Sequence, residues 1–123
     1  MTTKGHCLCG NVTFQTEITP QGASACHCGQ CRRQTGHFWA SAYVPRDALN
    51  VTGEVTWFAA SDAAKRGFCA KCGTLLFWTA HDEDTISFSL GGLDMPTDLR
   101  LTKHIFTADK GDYYDINDGL PQQ

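Results

Sequence analysis

An all-β fold of distorted sandwich or barrel type follows from three features of the sequence. Short segments carry apolar residues at strand spacing, glycine, proline and aspartate separate those segments, and only one stretch reads as helical. Asn11 to Glu17 alternates Val12 and Phe14 with Thr13 and Gln15, the pattern of a strand with one face buried. Gly29 to Thr35 is the helical stretch, and Gly36 behind it suits a left-handed stop. Phe38 to Val44 and Glu54 to Ala60 are rich in aromatic and β-branched residues, and Pro45, Arg46 and Asp47 break the chain between them. Leu75 to Thr79 and Thr85 to Leu90 read as a hairpin around a polar tip from Ala80 to Asp84, and His104 to Thr107 is a further strand. Asp109 to Asp118 reads as a solvated loop with Tyr113 or Tyr114 packed inward. The tail from Asn117 to Gln123, with Gly119 and Pro121, is expected on the surface.

Size and charge narrow the function classes. With 123 residues and 13.5 kDa the chain suits one compact domain over residues 1–123. Ten Lys plus Arg against thirteen Asp plus Glu give a net charge of −3, which argues against a basic face for nucleic acid. Met1 to Gly10 holds no apolar leader core, and no apolar run approaches the roughly 18 residues of a membrane span. The expectation is a cytoplasmic protein with no membrane partner.

Seven cysteines in so short a chain require an explanation. An odd number fits a complete disulfide framework poorly, and a reducing compartment favours free or metal-bound thiols. The cysteines form three clusters: Cys7-Leu8-Cys9, Cys26-His27-Cys28-Gly29-Gln30-Cys31, and Cys69-Ala70-Lys71-Cys72. Gly10, Gly29 and Gly73 accompany them, as expected where the backbone wraps around sulfur and turns its N–H groups toward it. A thioredoxin-like pair at Cys69 and Cys72 lacks a surrounding βαβ pattern, and an iron–sulfur or thiolate-bridged cluster is the other metal reading.

Zinc accounts for the count most simply. Closed structural zinc sites take four ligands and catalytic ones keep a position open, so seven thiols divide as four plus three. Cys26, Cys28 and Cys31 lie within six residues and can grip one ion from a single turn. Cys7 and Cys9 with Cys69 and Cys72 would staple the N-terminal strand to the middle of the chain, although spacing alone leaves open which pairs meet. His6, His27, His37 and His104 are possible fourth ligands for the three-cysteine site. For His27, lying between two ligands on extended backbone, a role behind the metal or facing substrate is favoured over ligation.

The ordered clusters, with Phe68-Cys69-Ala70-Lys71-Cys72-Gly73-Thr74 and the later Lys103-His104-Ile105-Phe106 and Asp109-Lys110, resemble the glutathione-dependent formaldehyde-activating enzyme family, the CENP-V/GFA domain. The resemblance covers about residues 4 to 120. It implies an Mss4-like β fold with short helical turns, zinc knuckles and two Zn²⁺ per chain. Cys7, Cys9, Cys69 and Cys72 match the structural zinc ligands, and Cys26, Cys28 and Cys31 match the catalytic ones. The activity it implies is that of a carbon–sulfur lyase, which reversibly joins formaldehyde and glutathione as S-hydroxymethylglutathione.

Chemistry bears on the mechanism. Zinc on three thiolates carries one net negative charge and is a weaker Lewis acid than zinc on three histidines, so it suits holding a substrate thiol as thiolate. The partner expected is therefore a small thiol or a thiol–aldehyde adduct. Cys26, Cys28, Cys31 and His27 are the expected catalytic residues. Arg32 and Arg33, directly after the last ligand, are candidates to clamp a substrate carboxylate, and Phe38 and Trp39 to wall the site. The alternative is a non-catalytic zinc-stabilised binding module with both metals closed.

Overall fold

The computed structural model describes residues 2–123. In chain order its elements are β1 (Thr3–His6), β2 (Thr13–Thr16), β3 (Gln21–Cys26), α1 (Gly29–Thr35), β4 (Trp39–Pro45), β5 (Asn50–Thr52), β6 (Val55–Phe58), β7 (Ala64–Cys69), β8 (Leu75–Ala80), β9 (Thr85–Ser89) and β10 (Lys103–Ile105), with three single 3-10 turns. The expected all-β architecture holds. One sheet has the order β1-β2-β5 and the other β10-β3-β4-β9-β8-β7-β6. Neighbours pair antiparallel except β10, which lies parallel to β3.

The two sheets meet through aromatic rings. Phe14 of the small sheet stands edge-on to Phe77 of β8 at 5.3 Å and lies 5.6 Å from Phe88 of β9. Val12, Val44, Leu76 and Leu93 close the core around them. Each such side chain contributes about 1.5–3 kcal/mol through removal from water.

The helix and its stop match the sequence expectation. Cys28 caps α1, its Sγ accepting the Cys31 N–H at 3.3 Å, and Gly36 ends the helix at φ 81° with its N–H donating to Arg32 O. The strands at 11–17, 38–44, 54–60, 75–79 and 85–90 also form, with shorter or shifted ends, and the strand expected at 104–107 is Lys103–Ile105. Strands β1, β3, β5 and β7 were not anticipated. Three of them contain a glycine covered by an aromatic ring: a Cβ on Gly5 would lie 2.5 Å from the Phe14 ring, on Gly22 2.3 Å from Tyr43 and on Gly67 2.9 Å from Trp57. Their apolar cover comes from another strand, so no alternation marks their own sequence.

The tail is exposed as expected, yet it is paired. The His104 N–H donates to Pro121 O and the Gln123 N–H to His104 O, which lays the last residues alongside β10. Among the described residues no helix is long and apolar enough to cross a membrane.

Candidate metal centres

The first centre joins two loops. Cys7 follows β1, Cys69 ends β7, and the four sulfurs of Cys7, Cys9, Cys69 and Cys72 lie within 4.8 Å of one another. Sγ separations of 3.6 Å for Cys7–Cys9 and 3.8 Å for Cys9–Cys69 fit the edge of a tetrahedron; zinc–sulfur bonds of about 2.3 Å give about 3.8 Å. The Val12 N–H donates to Cys7 Sγ at 3.3 Å, and the Lys71 and Cys72 N–H groups to Cys69 Sγ at 3.4 Å. Gly10 at φ 81° and Gly73 at φ 78° make the turns that aim these groups, whereas Gly29 is helical and opens α1. Thr74 joins the loops, its Oγ1 accepting the Leu8 N–H at 3.1 Å and lying 3.2 Å from Cys72 Sγ. Hydrogen bonds from Thr74 lower the Cys72 thiol to about 5.

The second centre sits where β3 gives way to α1. Cys26 ends the strand, Cys28 caps the helix and Cys31 lies in its first turn, which brings their sulfurs within 4.8 Å of one another. Three soft donors in this arrangement are a fitting grip for a metal ion. Across them lies Arg66 of β7, only 4% exposed, with Nη2 3.5 Å and Nη1 3.6 Å from Cys31 Sγ and Nη2 4.0 Å from Cys28 Sγ. Its Nε donates to Gln30 Oε1 and Nη1 to Gln34 Oε1, and its guanidinium lies 6.0 Å from the Trp39 ring. A hydrogen bond with Cys26, and after it Arg66, lowers the Cys31 thiol to about 6; the same Cys26–Cys31 bond, with burial, raises Cys26.

A cavity of about 1090 Å³ opens on these three cysteines and Arg66, between walls that include Trp39, Tyr43 and Trp78. The Trp39 Nε1–H is buried without a hydrogen-bond partner among the described residues.

Behind the three-cysteine loop runs a polar chain. Parallel pairing sets His104 of β10 beside Ala25, and the His27 N–H donates to Ile105 O, so the two imidazoles meet with Nε2 of His27 2.9 Å from Nδ1 of His104. His104 Nε2 lies 2.8 Å from Asp118 Oδ2, and His27 Nδ1 lies 2.6 Å from the Tyr114 hydroxyl. An ionised Asp118 fixes one consistent assignment: His104 donates to it, His27 donates to His104, and Tyr114 donates to His27. Burial, then His104, holds His27 below the usual imidazole value; burial raises Tyr114; the His104 hydrogen bond lowers Asp118.

The other expected residues fall as follows. No histidine joins either sulfur group among the described residues. His27 is fully buried against the Phe38 ring, exposed His37 sets its ring against that of Tyr114, and His6 Nδ1 lies 2.7 Å from Cys7 O. Arg33 is exposed and Arg32 half-buried; neither lines the cavity, although Arg32 Nη2 lies beside Gly29, which does. Tyr114 is the half-buried tyrosine of its loop, and Tyr113 is exposed. Sequence reasoning missed Arg66 and the Asp118 contact. The one signal for Arg66 was a cation close ahead of Cys69, in a segment whose charges disguised the strand.

The chain is thus a mainly β protein with a four-thiol group between loops and a three-thiol group facing a cavity, each of which could hold a metal ion. The sequence profile described as glutathione-dependent formaldehyde-activating enzyme matches residues 2–109, and the chain belongs to this family. It is 32% identical over 76 residues to an uncharacterized lyase of Schizosaccharomyces pombe, a match covering 61% of this chain and 56% of that protein. The matched stretch thus spans little more than half of that relative. A crystal structure of a Rhodobacter sphaeroides protein superposes with a TM-score of 0.61 at 27% identity, covering 75% of this chain and 88% of the other.

Proposed function

We propose that residues 1–123 form a single zinc-binding domain acting as a carbon–sulfur lyase of the glutathione-dependent formaldehyde-activating type. Its substrate would be a small thiol with an aldehyde, or their adduct. The observation that carries this reading is the asymmetry of the sulfur groups: four sulfurs suffice to enclose an ion, whereas three that face a cavity leave room for a guest.

Zinc held by Cys26, Cys28 and Cys31 would supply the Lewis acidity to keep an incoming thiol deprotonated near neutral pH. The chain's own part is to hold and orient. In the forward reaction the thiol sulfur attacks the carbonyl carbon, a C–S bond forms as the C=O π pair moves to oxygen, and the thiol proton ends on that oxygen; the reverse path releases the aldehyde. Trp39, Tyr43 and Trp78 would exclude water from the approaching carbon and limit its orientations. His27 would hold its loop from behind through His104 and Tyr114. Of the two arginines expected to meet a substrate carboxylate, Arg32 is the better candidate because it lies beside Gly29.

The test is exchange spectroscopy on glutathione with ¹³C-formaldehyde. The zinc-loaded protein should accelerate interconversion of free aldehyde and adduct, and Cys28→Ser should abolish the acceleration. An uncatalysed rate with zinc-replete wild type would overturn the proposal.

A further inference from the structure

Arg66 is a buried cation with no acidic partner: among the described residues the carboxylates within salt-bridge distance of a basic side chain face only His6 and His104. Its neutral acceptors, Gln30 and Gln34, fix the guanidinium without compensating its charge. A cation so placed requires an anion, and the negative groups within reach are the sulfurs of Cys31 and Cys28. Among the described residues the four-cysteine centre has no such feature, since its sulfurs contact backbone N–H groups, Thr74 and other thiols.

Charge counting gives this a consequence. A divalent ion on three thiolates carries one net negative charge, which would oppose arrival of a further anion; Arg66 cancels it. We propose that Arg66 is a positioning residue whose charge lets the three-cysteine site accept a thiolate, an anionic guest, in preference to a neutral ligand. Because the arginine is locked by two glutamines and faces Trp39, its charge stays at the sulfurs and is not drawn to a substrate carboxylate. The inference rests on the proposed metal-dependent thiol chemistry and adds what selects the guest.

The experiment uses the full chain loaded with Co²⁺, whose thiolate charge-transfer absorption reports each sulfur bound. Wild type, Arg66→Met and Arg66→Lys are titrated with 2-mercaptoethanol and, separately, with imidazole as a neutral ligand. We expect Arg66→Met to lose about tenfold or more in affinity for 2-mercaptoethanol while imidazole affinity changes less than about threefold, and Arg66→Lys to keep the wild-type preference within about threefold. Retention of one metal at the four-cysteine centre checks the fold of each variant. Equal thiol affinity in wild type and Arg66→Met would overturn the role of Arg66 alone. Loss of the preference in Arg66→Lys would also overturn it, and this arm decides the matter even if Arg66→Met does not fold. A wild-type protein that binds 2-mercaptoethanol nowhere would instead remove the lyase reading, and this inference with it.

Discussion

The two sulfur groups set the same donor atom in different surroundings. Cys7, Cys9, Cys69 and Cys72 lie on loops that approach from distant parts of the chain, with backbone N–H groups filling the space around them. Cys26, Cys28 and Cys31 come from one strand-to-helix junction, face a cavity and sit against a buried arginine. On the proposed reading the first group would close the fold and the second would be built on a fold already closed. Removing a ligand from the former should loosen the link between the loops after β1 and β7, whereas removing one from the latter should leave every strand pairing intact.

That difference sets the largest effect to be expected. Cys72→Ser should unfold or aggregate the protein, because a structural zinc site contributes on the order of 10 kcal/mol to folding. Cys28→Ser should keep the β-sheet circular dichroism and lose one metal. Metal analysis should find two ions per wild-type chain, with mild chelation removing only the one at the three-cysteine centre. Equal behaviour of the two variants, or simultaneous loss of both ions, would break the division of roles.

How much of this was legible depended on where each signal lay. Cysteine clustering and glycine punctuation are local, and the close spacing of Cys26, Cys28 and Cys31 marked their group. That Cys7 and Cys9 meet Cys69 and Cys72 was open from spacing and came from the family resemblance, and both groups form. The helix was equally local, from its cysteine cap to Gly36. Strands β1, β3 and β7 were hidden because the rings over their glycines belong to Phe14, Tyr43 and Trp57 on other strands. Arg66 was hidden for the same reason: it reaches α1 across 35 residues of sequence to touch Cys31, and nothing near it announces that neighbour. His104 drew attention as part of a motif, but its partner Asp118 stood in a stretch that composition described only as acidic and solvated.

The polar chain behind the three-cysteine loop sharpens the comparison at intermediate size. His104 is 4% exposed and bonded on both ring nitrogens, whereas His6 beside the four-cysteine centre is exposed, with Nδ1 2.7 Å from Cys7 O and Nε2 3.7 Å from Asp94 Oδ1. His104→Ala would leave the His27 Nε2–H buried without an acceptor, a loss of about 1–3 kcal/mol. Denaturant unfolding should register that loss. Competition with a chelator should show faster metal release from the three-cysteine centre and an unchanged rate at the other. Equal acceleration at both would mean that His104 supports the fold generally and not this loop.

The smallest effect tests the opposite centre. Thr74 Oγ1 accepts the Leu8 N–H from one loop and contacts Cys72 Sγ in the other, so this hydroxyl ties the two loops beside the sulfurs. Thr74→Val keeps the shape and removes the acceptor, so one amide N–H loses its partner and one thiol loses the contact that most favours its ionised form. Leu8 is 86% exposed, so water can replace the first of these bonds, and the expected cost is about 0.5–1.5 kcal/mol, the net value of a typical hydrogen bond. The loss should appear as weaker metal retention at the four-cysteine centre, read by chelator competition, while 2-mercaptoethanol binding at the three-cysteine centre stays as in wild type. A variant that weakens thiol binding as well would show that the staple and the pocket are coupled through the sheet, and their separation would then be one of degree.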